Sequence, residues 1–137
     1  MKRRFDWRSR LYTALDTFAA RPFVWGSDDC THFAAAMVEA MTDANPLDDV
    51  SPGAYDDAES AAEALSDLGY GDLASYLAET FEEVPIAYAR VGDIAVVDSE
   101  GIGEGLGIVL GEFLAVRMAT GIGRVPRTLA IHAFRVP

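Results

Sequence analysis

The chain has a single cysteine, two histidines and one lysine among 137 residues. One cysteine excludes an internal disulfide and a zinc site of the Cys-x-x-Cys kind, and it fits a protein made in a reducing cytoplasm. No stretch approaches the roughly 20 apolar residues that a membrane span needs, so no membrane insertion is expected. The basic start, MKRRFDWRSR, is followed by no apolar core or small-residue cleavage site, so no signal peptide is expected. Positive charge is almost missing from the middle: residues 28–104 carry nineteen acids and only Arg90, within a net charge of -11. Such a body repels nucleic acid and anionic membrane. It reads as a solvated surface or as a docking face for a basic partner. Residues 1–10, with five bases and one acid, read as a docking arm or as solvent-facing charge.

What is present is half hydrophobic and long enough for one core, so one domain over 1–137 is expected. Residues 4–19 set Trp7, Leu11, Ala14, Leu15 and Phe18 at helical spacing, and Arg21-Pro22 ends that helix. Ser27, Asp28 and Asp29 can each cap a second helix running to about Met41, with Ala34, Met37, Val38 and Met41 on its apolar face. Two more helices are predicted, AESAAEALSDL stopped by Gly69, and LASYLAETFEE capped by Asp72 and closed by Pro85. Thereafter DIAVVD, LGIVL, FLAVRM and TLAIHAFRV read as strands. Helices first and consecutive strands afterwards predict an α+β fold: an N-terminal helix over 1–21, a helical part over 22–84 and an antiparallel sheet over 85–137.

Cys30 is the focus for chemistry. A helix N-terminus favours a thiolate, whereas Asp28 and Asp29 disfavour one unless they turn away to cap the helix. Its alignment with Ala34, Met37, Val38 and Met41 suits a nucleophile at the base of a cleft and equally a buried apolar residue. A nucleophile also needs a base. His32 lies about 200° around the helix from Cys30 and points away. His132, on the last strand, would share a face with Ala130 and Phe134, as a candidate base or as a satisfied structural histidine. Phe23, Trp25, Phe33 and Tyr55 read as core. The run GIGEGLG leads into a strand rather than a helix, which makes it a hairpin connection and not a phosphate loop. The acids Asp93, Asp98, Glu100 and Glu104 lack a histidine and regular ligand spacing, so neither metal nor cofactor is expected.

The stretch PFVWGSDDC resembles the segment that opens the catalytic helix of NlpC-like, papain-fold cell-wall peptidases. ARVGDIAVVD is similar to their Gly-Asp strand and GLGIVLG to their His-Val-Gly-Ile strand, in the same order. The nearest likeness is a compact branch found among tail genes of phages, prophages and gene transfer agents. The resemblance implies a papain-like fold with helices packed on a C-terminal antiparallel sheet, Cys30 at the nucleophile's place, and Trp25 and Asp29 as candidate binding residues beside it. It also places Gly105 where the family has its catalytic histidine, and FLAVRMA offers no polar orienter in the next strand. The implied function is a structural or accessory protein of a phage-like tail tip or hub, a peptidase scaffold without its base. Other tail and hub proteins would be its partners, and it would be made in the cytoplasm and carried in a particle. The alternative is an active cysteine hydrolase of peptidoglycan, with Cys30 as nucleophile and His132 as a relocated base.

Overall fold

A computed structural model of the chain describes residues 1–24, 30–46, 69, 72–99, 103–118 and 121–137. Helix α1 spans Trp7–Ala19, α2 spans Cys30–Thr42, and a short α3 spans Leu73–Ala78. Six strands follow: β1 Glu82–Val84, β2 Ile94–Ser99, β3 Gly103–Val109, β4 Phe113–Met118, β5 Gly121–Pro126 and β6 Ala130–Arg135. They form one antiparallel sheet in the order β1-β6-β2-β3-β4-β5. The α+β class and the packing of helices on an antiparallel sheet are as expected from the sequence. The predicted helix AESAAEALSDL, Trp25 and Tyr55 lie outside the described residues.

The stripe of α1 buries Leu11, Leu15 and Phe18, and α2 buries Phe33, Ala34, Met37, Val38 and Met41. The two helices meet through an edge-to-face contact of Phe18 on Phe33, centroids 5.4 Å apart. Strand alternation sends Ile94, Val96, Leu106, Ile108, Ala115 and Phe134 into that core. The opposite face gathers Ala95, Val97, Val109, Leu114, Val116, Ala130 and Ala133 around Ala89.

Four expectations are corrected. The helix predicted up to Glu83 ends at Ala78, and Glu82–Val84 pairs with Ala133–Arg135 as β1. Local propensity favours continuing the helix through the two glutamates, but burial of Phe81 and pairing with β6 override it. The sheet therefore begins at residue 82 rather than 85. Strand β5, GIGRVP, was not among the predicted strands, because its glycines, proline and partial exposure hide the alternation. Finally, His132 does not share a face with Ala130. Val96 faces His132 while Val97 faces Ala130, so β6 holds one surplus residue there, a β-bulge. The bulge leaves Ala130 on the far face and turns His132, with Phe134, onto the helix-bearing face.

The N-terminal bases are neither a free arm nor simply solvated. Arg3 is nearly buried and pairs with Asp93 at 3.0 Å. Arg4 and Arg10 pair with Asp43, at 3.0 and 3.5 Å, and Arg10 also with Asp6 at 2.8 Å.

Candidate functional site

Cys30 is the first residue of α2 and is half-buried. Its sulfur lies 4.0 Å from Thr31 Oγ1. The caps proposed for α2 and both candidate binding residues, Trp25 and Asp29, lie outside the described residues. Beside the start of α2 a shallow pocket opens between α2, α3 and the sheet, lined by Thr31, Ala34, Tyr76, Leu77, Ile94 and Leu106 among others. Its lining is mostly apolar, with Thr31, Tyr76 and Thr80 as the residues that carry hydroxyls.

His132 lies on the same face of the sheet, on β6 directly opposite Val96, which in turn faces Leu106. Its Nδ1 lies 2.8 Å from Glu83 Oε2 on β1, and both side chains are partly exposed. Asp72 lies close enough for its carboxylate to feel the imidazole. Asp72 caps α3 by accepting a 2.7 Å hydrogen bond from the Ser75 N–H. That cap, above all, holds its carboxyl below the ordinary aspartate value. Glu83 was not singled out from the sequence: its meeting with His132 depends on β1 and on the bulge, and neither leaves a local pattern. Among the described residues no hydrogen bond joins Cys30 to His132. His32 is half-buried on α2.

The position given to the family's histidine is equally specific. Gly105 is buried and stands directly opposite Val97, a residue of the far cluster. Directly opposite residues share a face, so a side chain at 105 would point away from α2. In the next strand the polar residue is Arg117, buried on the helix-bearing face. Its guanidinium donates to Phe18 O at 3.5 Å and Arg21 O at 2.5 Å, and it lies over the Phe18 and Phe23 rings. Two carbonyls at the end of α1 and two aromatic faces thus receive a buried cation. A signal for it existed, since an arginine inside the apolar run FLAVRM has to find acceptors.

The acids read from the sequence are divided: Asp98 stands directly opposite Glu104 in the β2–β3 hairpin, and Asp93 lies at the other end of β2. Asp93 is fully buried and accepts from Arg3, from Arg135 Nε at 3.3 Å and from the N–H groups of Arg90 and Val136, at 2.8 and 3.1 Å. Asp98 is exposed, and Glu100 lies outside the described residues. Among the described residues no three His, Cys, Asp or Glu side chains converge as metal ligands, and no helix is long and apolar enough to cross a membrane. The GIGEGLG run falls at the β2–β3 hairpin, whose last pair is Ser99 with Gly103.

Fold and site together define an α+β protein with a lone half-buried thiol at the start of a helix laid on an antiparallel sheet. The chain belongs to the family described as a domain of unknown function, DUF6950, whose model matches residues 2–136. No curated protein matches it.

Proposed function

We propose that the chain is a structural or accessory protein of a phage-like tail, acting at the tip or hub through contacts with other tail proteins. In this reading its scaffold is the papain-like one of NlpC-type cell-wall peptidases, kept without the catalytic base. The observation that carries the reading is the residue that stands where the resemblance places the catalytic histidine. That place holds Gly105, where a side chain would point away from α2, and the strand after it spends its polar residue, Arg117, on the end of α1. A nucleophile separated from its base loses several orders of magnitude in rate. What remains useful in such a scaffold is its surface.

The experiment is mass spectrometry of particles purified from a producing strain, together with a strain deleted for the gene. Particles should contain the protein, and the deletion should give defective tails. A Cys30→Ala strain should make normal particles. Absence from particles would overturn the reading.

One observation favours a second reading, a cysteine hydrolase of cell-wall peptides: His132 and Glu83 form an imidazole–carboxylate pair on the helix-bearing face. There Cys30, giving its proton to His132, would attack the amide carbonyl, the amine would leave with that proton, and water would release the acyl group. This reading requires Cys30 Sγ to come within hydrogen-bond reach of the His132 ring. It expects purified protein to release soluble fragments from peptidoglycan and Cys30→Ala to abolish the release.

A further inference from the structure

The segment leading into α1 is tied down on both sides of one side chain. The Arg4 N–H donates to Met41 O at 2.8 Å, and the Trp7 N–H donates to Arg4 O at 3.1 Å. Arg3 is anchored by its bonds to Asp93, Val91 O and Val136 O. Between these ties Phe5 stands 96% exposed. A single exposed apolar residue is ordinary. A phenyl ring held in water on a bonded backbone is different, because a partner that covers it has little ordering left to do. Tyr12, 43% exposed, lies one turn beyond Arg8 on α1 and adds a second aromatic surface.

The charges around Phe5 do not balance. Arg3, Arg4 and Arg10 pair with Asp93, Asp43 and Asp6. Among the described residues no carboxylate pairs with Lys2 or Arg8, and both are exposed. Arg8 is nevertheless held, since its guanidinium lies 4.7 Å from the centre of the Trp7 ring, which also carries Arg3 at 4.3 Å. Stacking engages the flat of a guanidinium and leaves its N–H edge for a carboxylate. Two uncompensated cations beside a fixed aromatic ring are complementary to an acid with an apolar neighbour. We propose that residues 2–12 form a docking site for an acidic, partly apolar segment of a partner protein, in which Arg8 takes a carboxylate and Phe5 the apolar side chain beside it. Arginine and aromatic residues are prominent among the types that dominate binding energy at such contacts. A nucleic acid or an anionic membrane spreads its charge widely enough to meet the acidic body as well, and the net charge of -11 disfavours both. A single segment meets only these residues. The surface does not depend on the protein's place in a particle.

The test is fluorescence anisotropy of a labelled peptide of repeating Glu-Glu-Leu. It is titrated with the full chain from about 1 to about 100 μM at physiological salt, a range that brackets a micromolar constant. Saturable binding is expected. Phe5→Ser and Arg8→Glu should each weaken it at least about tenfold. With its ring 96% exposed, Phe5→Ser should leave the far-ultraviolet spectrum and the thermal midpoint unchanged. Tyr88→Ser, which removes another ring open to water at 71% exposure, should bind as the parent does. Peptides of repeating Gln-Gln-Leu and of repeating Glu-Glu-Ser should both bind more weakly, since each lacks one half of the recognised chemistry. Binding indifferent to Phe5 and Arg8, or equal binding of the uncharged peptide, would overturn the proposal. So would no binding across the range, self-association of the chain through Phe5, or capture of anionic vesicles or RNA in place of the peptide.

Discussion

The Arg3 guanidinium donates to the fully buried Asp93 carboxylate at 3.0 Å, tying the third residue of the chain to the entrance of β2. Burial pulls the guanidinium down from its ordinary value, and the carboxylate pulls it back up. Arg3 also donates to Val91 O and Val136 O, at 2.8 and 3.0 Å, so one side chain joins the N-terminus, the approach to β2 and the end of the chain. The Gly-Asp pair that stands out in the sequence is therefore a structural knot.

Asp93→Ala should be among the most damaging single changes. It removes the carboxylate that Arg3, Arg135 and two backbone N–H groups share in a buried site, where breaking an ion pair costs about 3–5 kcal/mol. Urea unfolding should show that loss as a lower midpoint. Asp93→Asn, which keeps acceptor capacity but loses the charge, should fall between the variant and the parent.

Gly92→Ala should cost more than Gly111→Ala. Both glycines have positive φ, +92° and +98°, so both changes incur the left-handed penalty of about 1–2 kcal/mol. At Gly111 an added Cβ meets nothing within 4 Å. At Gly92 it would sit 2.8 Å from Met41 Sδ and 2.9 Å from Arg3 Nη1, pushing apart the end of α2 and the Asp93 knot. Equal thermal shifts for the two variants would contradict this account.

The helix stripes of α1 and α2 were legible because each buries one face at the helical period, and the strands DIAVVD, LGIVL and FLAVRM because strands buried on both faces read as short continuous apolar runs. Strand β1 was not, since its three residues acquire their conformation from β6 rather than from their own preference. The bulge was not legible either. Nothing in TLAIHAFRV marks Ile131 as surplus, yet that one residue decides which face His132 occupies. Asp93 was visible as a motif, whereas its role required knowing that Arg3 and Arg135 arrive from the two ends of the chain. Cys30 was legible as a position, whereas the pocket beside its helix is completed by residues brought from α3, β2 and β3.

Asp72 should make α3 sensitive to acid. Its carboxyl titrates below the ordinary aspartate value because the ionised form accepts from Ser75. A depressed folded value means that the cap's contribution is complete above the unfolded value, near pH 4, and is lost as pH falls through the folded one. The Ser75 amide resonance should therefore shift with a midpoint below the ordinary aspartate value. Asp72→Asn keeps a side-chain acceptor at the cap and should abolish that titration while keeping α3.

Gly105→His tests whether the missing base alone explains an inactive scaffold. If the site lacked only an imidazole, restoring it at the position given by resemblance should produce peptidoglycan hydrolysis and a Cys30 that reacts with iodoacetamide well below pH 8. The register predicts otherwise. Gly105 faces Val97 in the far cluster, so the new ring would enter a buried apolar layer on the side of the sheet away from α2. The expected result is a destabilised protein, by about 1–3 kcal/mol for overpacking, with no gain in hydrolysis and unchanged labelling of Cys30. Turnover that appears with Gly105→His and disappears again with Cys30→Ala would show that β3 turns its other face to the helix.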